Sequence, residues 1–319
     1  MKLGFSGLKF LQRSRTALIG LVIGGVLISV AALNAKTPDN EFQQNARVPD
    51  GAQSINLTIS DGRDAELFLP QGYSENSSVP LLIDLHGYTG SGKSQAAYTF
   101  LQEAAYDRGL AYVAPDGLED SLGSQYWNAT TACCDFNRSG VDDVAFIESL
   151  IAKIKGSANI DTSRIYLFGH SNGHFMSYAF LCSGFNEIAA VAGLAGAMDP
   201  NIATCRAKPS KILHIHGEAD GTILFDGGAL FGNRYTSAVE TVKRWSYINS
   251  CGNPKQGSID AIGGIEGEEI RTESYSCERG ALEFWIIKEG IHTPTLDISF
   301  ADRVIDWLMK HKALYPRGN

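Results

Sequence analysis

The chain has little positive charge for its length. It carries 27 Lys and Arg against 35 Asp and Glu in 319 residues, a formal net charge of −8. Residues 1–35 contain four basic and no acidic residues, so the remainder carries 23 − 35 = −12. A surface this acidic repels the phosphate backbone, and the composition therefore argues against a nucleic-acid partner.

The N-terminal segment lacks acidic residues altogether. No charge interrupts the mostly apolar run 16–33, and the residues before it contribute only Lys2, Lys9, Arg13 and Arg15. A basic flank followed by 18 such residues is typical of a signal peptide and also of a membrane anchor, and both interpretations stand. In either case the basic flank stays on the cytoplasmic side of the membrane. We therefore expect an extracytoplasmic protein, secreted or periplasmic.

No low-complexity linker and no internal repeat divides the rest of the chain. The remaining residues suffice for one large α/β domain with a full core. Residues 36–50 are polar and contain two prolines, which indicates a solvated spacer. The predicted organisation is a signal peptide or N-terminal anchor at 1–35, a spacer at 36–50 and one catalytic domain at 51–319.

No cysteine occurs before residue 133, so all six lie beyond the export segment. An even number of cysteines in an oxidising compartment favours disulfides over metal or redox roles. Cys251 and Cys277 bracket a Gly-rich, hairpin-like stretch and are the predicted pair. The partners within the other four are left open: Cys133, Cys134, Cys182 and Cys205.

The order of apolar segments predicts an α/β fold. Residues 54–60 and 65–70 alternate apolar and polar side chains around Asp61-Gly62, which indicates an antiparallel hairpin. Short apolar runs then alternate with helical periodicity, the pattern of a mostly parallel central sheet with helices on both faces. These runs are 81–85, 110–114, 164–168, 189–194, 212–215 and 282–287. Sites in such sheets form at the carboxyl ends of the strands.

One of these strands leads into Gly169-His170-Ser171-Asn172-Gly173. A strand, G-x-S-x-G and then a helix is the layout of a nucleophile elbow, in which a sharp turn exposes one serine hydroxyl. The flanking glycines are needed because side chains there would collide with the neighbouring strand and helix. The pattern by itself is weak, and its context carries the prediction that Ser171 is a nucleophile.

A serine nucleophile needs a base and an acid, which follow it in the order acid then histidine in this kind of fold. His292 comes just after an apolar run, whereas His311 lies on a charged terminal helix, so His292 is the predicted base. Asp220 follows the strand at 212–215 and is the predicted acid. Asp199, after the preceding strand, is the alternative.

An oxyanion site requires amide donors beside the serine. We expect them to be the amides of Asn172, which follows the nucleophile, and of Tyr88, in the loop after an early strand, where Gly87 allows close approach. Trp127 and His174 are predicted to contact substrate. Trp127 could alternatively pack around the Cys133-Cys134 pair.

Two other motifs compete for these residues. Residues 87–94 match the phosphate-loop pattern, with Lys93 on phosphates and Ser94 on magnesium, but an exported protein meets no nucleoside triphosphate. His170, His174, His214 and His216 could suggest a metal site. No glutamate lies between the first two, as metalloprotease chemistry would require. We therefore predict neither a metal nor a cofactor.

Several segments together resemble the polyhydroxybutyrate depolymerase and feruloyl esterase-like group of secreted α/β-hydrolases. The segments are His86-Gly87, Pro115-Asp116-Gly117, Trp127-Asn128, Cys133-Cys134, residues 141–147, Ser171-Asn172-Gly173, residues 214–217 with Asp220, and Gly290 with His292. The resemblance spans about residues 50–312. It implies an α/β-hydrolase fold, a Ser171, Asp220, His292 triad, no cofactor and an ester substrate.

The expected function is a serine carboxylic-ester hydrolase that acts on hydroxyalkanoate oligomers or polyesters. Feruloyl or acetylxylan esters of plant polysaccharide are the alternative substrates. His174 stands where the family usually has a small residue, and residues 290–294 lack the family's tryptophan beside the base. His174 therefore keeps open a different class of function, a catalytically silent hydrolase-fold binding protein.

Overall fold

The computed structural model describes residues 52–59, 61–259 and 270–315. The predicted leader at 1–35 and spacer at 36–50 lie outside this part of the chain. Among the described residues, no helix combines the length and apolar character needed to cross a bilayer.

Fourteen strands are described. They are Ser54–Thr58 (β1), Asp64–Phe68 (β2), Val79–Leu85 (β3), Ala111–Val113 (β4), Leu118–Glu119 (β5), Gln125–Tyr126 (β6), Ile160–His170 (β7), Ile188–Leu194 (β8), Lys211–Gly217 (β9), Gly228–Leu230 (β10), Asn233–Tyr235 (β11), Cys251–Ile259 (β12), Ile270–Cys277 (β13) and Ala281–Ile287 (β14). The helices described are Gly92–Thr99 (α1), Leu101–Asp107 (α2), Asp143–Lys155 (α3), Asn172–Cys182 (α4), Ala238–Asn249 (α5) and Ile298–Met309 (α6), with a 3₁₀ turn at Ile202–Thr204.

Ten of these strands form one sheet in the order β1-β2-β4-β3-β7-β8-β9-β14-β13-β12. The six central strands, β4 to β14 in that order, pair in parallel, and the outer strands on both sides pair antiparallel. The predicted α/β-hydrolase fold, with its N-terminal hairpin, is confirmed. The carboxyl ends of β3, β7, β9 and β14 consequently lie on one edge of the sheet.

Helices cover both faces of the sheet. Along β3, Leu81, Ile83 and Leu85 join the core under α3, α4 and α5, whereas Leu82 joins the core under α1, α2 and α6. This alternation follows from the two-residue period of a strand. Because both faces are buried, the central strands are rich in apolar residues, and every residue of β8 is buried;.

The six cysteines form three disulfides, and none is free. Cys251 and Cys277 face each other in the antiparallel β12–β13 ladder and are bonded, as predicted. The pairings left open are Cys182 with Cys205 and, between adjacent residues, Cys133 with Cys134.

Two adjacent aspartates at the start of α3 have different roles. Asp142 is the N-cap and accepts a hydrogen bond from the Ala145 amide at 2.9 Å. Asp143 is buried and accepts from Arg63 Nη1 at 2.8 Å and from the Asn128 amide at 2.7 Å. Asp143 therefore connects the N-terminal hairpin to α3 and to the loop after β6, whereas Asp142 caps the helix.

The two aspartates allow a matched test of stability. Asp143→Ala should lower the free energy of unfolding by about 3 kcal/mol, because the buried Arg63 loses one carboxylate and the Asn128 amide loses its acceptor. Asp142→Ala should cost about 1 kcal/mol, the usual loss for a helix cap. Urea unfolding at neutral pH measures both. Equal losses would contradict the assigned roles.

Candidate active site

The turn between β7 and α4 places Ser171 at the edge of the sheet. Ser171 has φ 52° and ψ −119°, a backbone conformation that non-glycine residues rarely adopt;. A Cβ on Gly169 would collide with the Gly173 carbonyl, and a Cβ on Gly173 would collide with the Leu85 carbonyl at the end of β3. The two glycines therefore permit a turn this sharp, packed this closely against β3.

The structure brings together the three residues of the predicted triad. Ser171 Oγ lies 2.9 Å from His292 Nε2, and His292 Nδ1 lies 2.8 Å from Asp220 Oδ2. Asp220 is a carboxylate and can only accept there, so Nδ1 of His292 carries the proton. In the neutral ring Nε2 is then an acceptor that faces the serine hydroxyl, which is the arrangement a general base requires.

Asp220 is held in its ionised form. Oδ1 accepts from the amides of Thr222 and Ile223, both at 2.8 Å, and His216 Nε2 lies 3.3 Å from Oδ2. Burial by itself raises the pKa of Asp220, but hydrogen bonds from His216, His292 and Thr222 hold it well below its ordinary value. The carboxylate therefore remains charged under all ordinary conditions.

The alternative acid and base lie elsewhere. Asp199 accepts from the Asn201 amide at 2.7 Å in the loop after β8, a local turn contact. The His311 ring packs edge-on against Trp307 at the end of α6, with 4.5 Å between ring centroids. Neither residue contacts His292 in the described structure.

The loop after β3 packs directly on the elbow. A Cβ added to Gly87 would lie 3.3 Å from Ser171 Cβ and 3.3 Å from His170 Nδ1. The amides of Tyr88 and Asn172 donate no hydrogen bond to other described residues. The Asn172 amide is one of the unpaired donors at the start of a helix. Both predicted oxyanion donors are thus without a hydrogen-bond partner among the described residues.

His86 fixes the base of that loop. Its Nδ1 lies 2.7 Å from the Gly87 carbonyl, and its Nε2 accepts from the Gly117 amide at 2.9 Å. One nitrogen must donate and the other must accept, which only a neutral ring provides. Burial lowers the pKa of His86 to about 4, consistent with that form. His86 is thus a structural residue, as expected.

Trp127 was expected to contact substrate, and the structure corrects this. Its side chain is fully buried, stacks on Phe146 and donates Nε1–H to the His86 carbonyl at 3.0 Å. Its backbone pairs with the Asn172 side chain, which accepts at 2.7 Å and donates at 2.9 Å. A buried indole needs an acceptor for its N–H. From within the core, Trp127 therefore holds the elbow and the loop after β3 in position.

His174 was also expected to contact substrate, and it too is fully buried. Its ring lies where a Cβ on Gly193 or Gly196 would collide with it, and it packs on Tyr178 and His214. Burial holds the pKa of His174 well below its ordinary value. The glycines that follow in and after β8 make room for the bulky residue, so His174 belongs to the core under the elbow.

The phosphate-loop pattern has another structural basis. Ser91 caps α1 by accepting from the Ser94 amide at 3.1 Å, and Ser94 Oγ accepts from the Ser91 amide at 2.8 Å. The Gly92 amide donates to Asp116 at 2.7 Å. The Gly92 and Ser94 amides and the Ser94 hydroxyl, which would bind phosphate and magnesium, are therefore engaged within the protein. Lys93 lies between the two serines of this capping box, in the first turn of the helix. No cluster of three or more His, Cys, Asp or Glu in the described chain is placed to bind a metal.

Sequence reasoning missed His170 as part of the site. Its Nε2 lies 3.1 Å from the His292 carbonyl, and because a carbonyl only accepts, Nε2 donates. Burial lowers the pKa of His170 to about 3, which keeps the ring neutral. Tyr98 donates to the nearby Pro294 carbonyl at 3.1 Å. The loop that carries the base is thus anchored at His292 and at Pro294. The position before Ser171 in the elbow carries no sequence signal for this role.

No protein-family model matches the chain. The chain is 32% identical over 199 residues to feruloyl esterase B of Piromyces equi, an alignment that covers 59% of this chain and 36% of that protein. It is 26% identical over 276 residues to a probable feruloyl esterase C of Aspergillus terreus, covering 82% of this chain and 87% of that protein. It thus spans about a third of the length of the first relative and most of the second.

Solved structures show the same fold. An acetyl xylan esterase from Aspergillus awamori superimposes with a TM-score of 0.59 at 14% identity, covering 81% of this chain and 99% of that one. This similarity shows the α/β-hydrolase fold, and the sequence relatives support the expected resemblance to the polyhydroxybutyrate depolymerase and feruloyl esterase-like group.

The contact between His216 Nε2 and Asp220 Oδ2, at 3.3 Å, predicts a pH-dependent effect. The depressed pKa of Asp220 contributes stability that is complete above the ordinary value of 3.8 and is lost as the pH falls through the lowered value;. His216→Leu removes this partner, so the pKa of Asp220 should rise, and the carboxylate should contribute less stability at neutral pH and lose it over a narrower range of acid pH. Urea unfolding between about pH 2 and pH 7 measures this change.

The control is the same substitution in an Asp220→Asn background, where no carboxylate remains to titrate. Any pH dependence that His216→Leu retains there comes from the imidazole itself and is subtracted. A pH-dependent change of equal size in both backgrounds would show that His216 does not act through Asp220.

Proposed function

We propose that this feruloyl esterase-like α/β-hydrolase is an exported serine carboxylic-ester hydrolase that works through an acyl-enzyme. The observation that carries the proposal is the unbroken line of hydrogen bonds from Ser171 Oγ to His292 and from His292 to Asp220, at 2.9 and 2.8 Å. The same arrangement argues against a catalytically silent fold, since nothing in a binding protein requires it.

In the first step His292 Nε2 takes the Ser171 proton while Oγ forms a bond to the ester carbonyl carbon. The carbonyl oxygen becomes an oxyanion, which the Tyr88 and Asn172 amides stabilise. His292 then gives the proton to the alkoxy oxygen, and the alcohol leaves. Water attacks the acyl-enzyme with the help of the same base and releases the acid. Asp220 holds the His292 tautomer throughout and stabilises its charged form.

Acylated plant polysaccharide is the substrate class that the relatives favour, because those compared are feruloyl esterases. This was the alternative among the substrates expected from the sequence. Hydroxyalkanoate esters were the first substrates expected from the sequence, and that expectation remains a prediction. The ester panel described below tests both classes of substrate.

Export is part of the proposal. Three disulfides in the described chain suit an oxidising compartment;. The basic and apolar character of residues 1–35 suits a signal peptide or an anchor, followed by a spacer at 36–50 and a single catalytic domain;. Mass spectrometry of the mature protein would distinguish a cleaved leader from a retained one.

The nucleophile and the acid can be tested by substitution. Ser171→Ala should lower kcat on a short p-nitrophenyl ester by about 10⁶-fold, and Asp220→Asn by about 10⁴-fold. Asp199→Asn is the matched control and should retain near-normal rates, because the Asp199 side chain accepts from the Asn201 amide in its own turn and does not contact His292 in the described structure. Loss of activity in Asp199→Asn but not in Asp220→Asn would show that Asp199, and not Asp220, is the acid.

A fluorophosphonate probe, which reacts with an activated serine, should label the unchanged protein and should not label the Ser171→Ala variant.

The substrate class can be tested with a panel of purified esters. Residues 36–319 should release acid from feruloyl esters or acetylated xylan faster, in kcat/KM, than from hydroxybutyrate oligomers. Chromatography of the released acids measures all three. Preference for the hydroxybutyrate oligomers would restore the first expectation and leave the triad assignment unaffected.

A further inference from the structure

The predicted oxyanion loop contains a tight turn in an unfavourable backbone conformation. The turn spans residues 87–90, and the Gly90 amide donates to the Gly87 carbonyl at 3.0 Å. Thr89 occupies the third position of this turn with φ 70°. A positive φ at that position favours Gly or Asn, and a β-branched residue there is strained. Such strain persists only where the surrounding structure holds the backbone, and it clusters at functional sites.

The small β5–β6 hairpin holds this turn through two consecutive residues. The Thr89 amide donates to the Gln125 carbonyl at 2.9 Å. The Tyr88 hydroxyl donates to Asp120 Oδ2 at 2.6 Å. A hydrogen bond from a hydroxyl to a carboxylate at this distance is charge-assisted, and such bonds are roughly twice as strong as neutral ones. The backbone and a side chain of the turn are therefore both attached to the hairpin.

Asp120 is itself fixed within the hairpin. Its second oxygen, Oδ1, accepts from the Leu122 amide at 2.8 Å and from the Ser124 amide at 3.0 Å. The Asp120 amide in turn donates to the Ser124 carbonyl at 2.9 Å. Bonds of this kind to its own turn are usual for an aspartate. They orient the carboxylate, so that Oδ2 can accept from a residue of another loop.

The turn also contacts the nucleophile. A Cβ added to Gly87 would lie 3.3 Å from Ser171 Cβ, so the turn has little room to move towards the elbow. The next amide in the chain, that of Tyr88, has no hydrogen-bond partner among the described residues. A donor stabilises an oxyanion only when it is held where the charge develops. The bonds to the hairpin therefore affect where this amide lies relative to Ser171.

We propose that Asp120 is a positioning residue for the oxyanion site and acts through the Tyr88 hydroxyl to hold the Tyr88 amide beside Ser171. The inference rests on the proposed esterase function and on the Tyr88 amide as a donor. Tyr88 thus has two roles, because its amide stabilises the oxyanion and its side chain fixes that amide. The hydroxyl contributes no atom to the reaction. Its loss should therefore destabilise the transition state and leave substrate binding unchanged.

The first test is Tyr88→Phe, which removes the hydroxyl and keeps the ring, its edge-to-face contact with Phe136 and the backbone amide. Loss of an oxyanion donor costs about 10²–10³-fold in kcat, and a donor that is present but less firmly held should cost less. On p-nitrophenyl acetate, kcat should fall about tenfold while KM stays within about twofold. An unchanged kcat overturns the inference, and so does a rise in KM at constant kcat.

Tyr275→Phe is the matched control. The Tyr275 hydroxyl donates to Glu273 Oε2 at 2.7 Å, which is also a bond from tyrosine to a carboxylate, but both residues lie on β13. This variant should leave kcat and KM unchanged. An equal fall in kcat in Tyr275→Phe would show that the loss of any such bond lowers activity, and it would overturn the specific role of Asp120.

A double-mutant cycle tests whether Asp120 acts through Tyr88. In an Asp120→Ala background the hydroxyl has lost its acceptor, so Tyr88→Phe should there change kcat by less than about twofold instead of about tenfold. Asp120→Ala also removes the acceptor of two hairpin amides, so its own loss should be at least as large as that of Tyr88→Phe. Tenfold losses in both backgrounds would show that the two residues act independently, and the inference would fail.

Labelling of Ser171 separates this inference from the proposed function. With a fluorophosphonate, Ser171 Oγ bonds to phosphorus, fluoride leaves and His292 takes the proton, while the oxyanion donors stabilise the phosphoryl oxygen. Mass spectrometry should therefore show Tyr88→Phe labelled about tenfold more slowly than Tyr275→Phe. If the unchanged protein hydrolyses no ester, the esterase proposal fails, and the labelling rates still decide the role of Asp120. Equal rates, or no labelling of the unchanged protein, would rule that role out.

Discussion

The site depends on the close approach of three backbone segments around Ser171. Gly173 lies against the Leu85 carbonyl, Gly169 lies against Gly173, and Gly87 lies against Ser171 itself. A single methyl group at any of these glycines would push the elbow away from β3 or from the loop after it. This contact sets the distance between the serine and the Tyr88 amide.

Buried histidines hold the loops that meet at this point. His86 bonds the Gly87 carbonyl and the Gly117 amide, His170 bonds the His292 carbonyl, and His216 lies 2.8 Å from the Ile223 carbonyl. A neutral imidazole can donate on one side and accept on the other, which suits loops whose backbone groups are buried. Burial keeps His86 and His170 uncharged. Of the histidines named here, His292 is the one whose ring contacts the serine hydroxyl.

Two residues beside functional motifs belong to the core beneath the triad. Trp127 and His174 look like pocket residues in the sequence because they follow or flank functional motifs, but both point inward. An aromatic residue next to a motif does not indicate exposure, because burial depends on which neighbours leave room. For His174 those neighbours are Gly193 and Gly196, about twenty residues later in the chain.

The sequence by itself determined the strand and helix order, the elbow and the Cys251–Cys277 pair, because periodicity, glycine spacing and chain order are local properties. It also singled out Ser171, Asp220 and His292, since strand ends on one edge of a parallel sheet must meet. Only the tertiary structure decided that Asp143 binds Arg63 and that His170 and His216 support the triad. Those contacts join residues that are far apart in the chain, and their geometry follows from packing between elements that no single segment encodes.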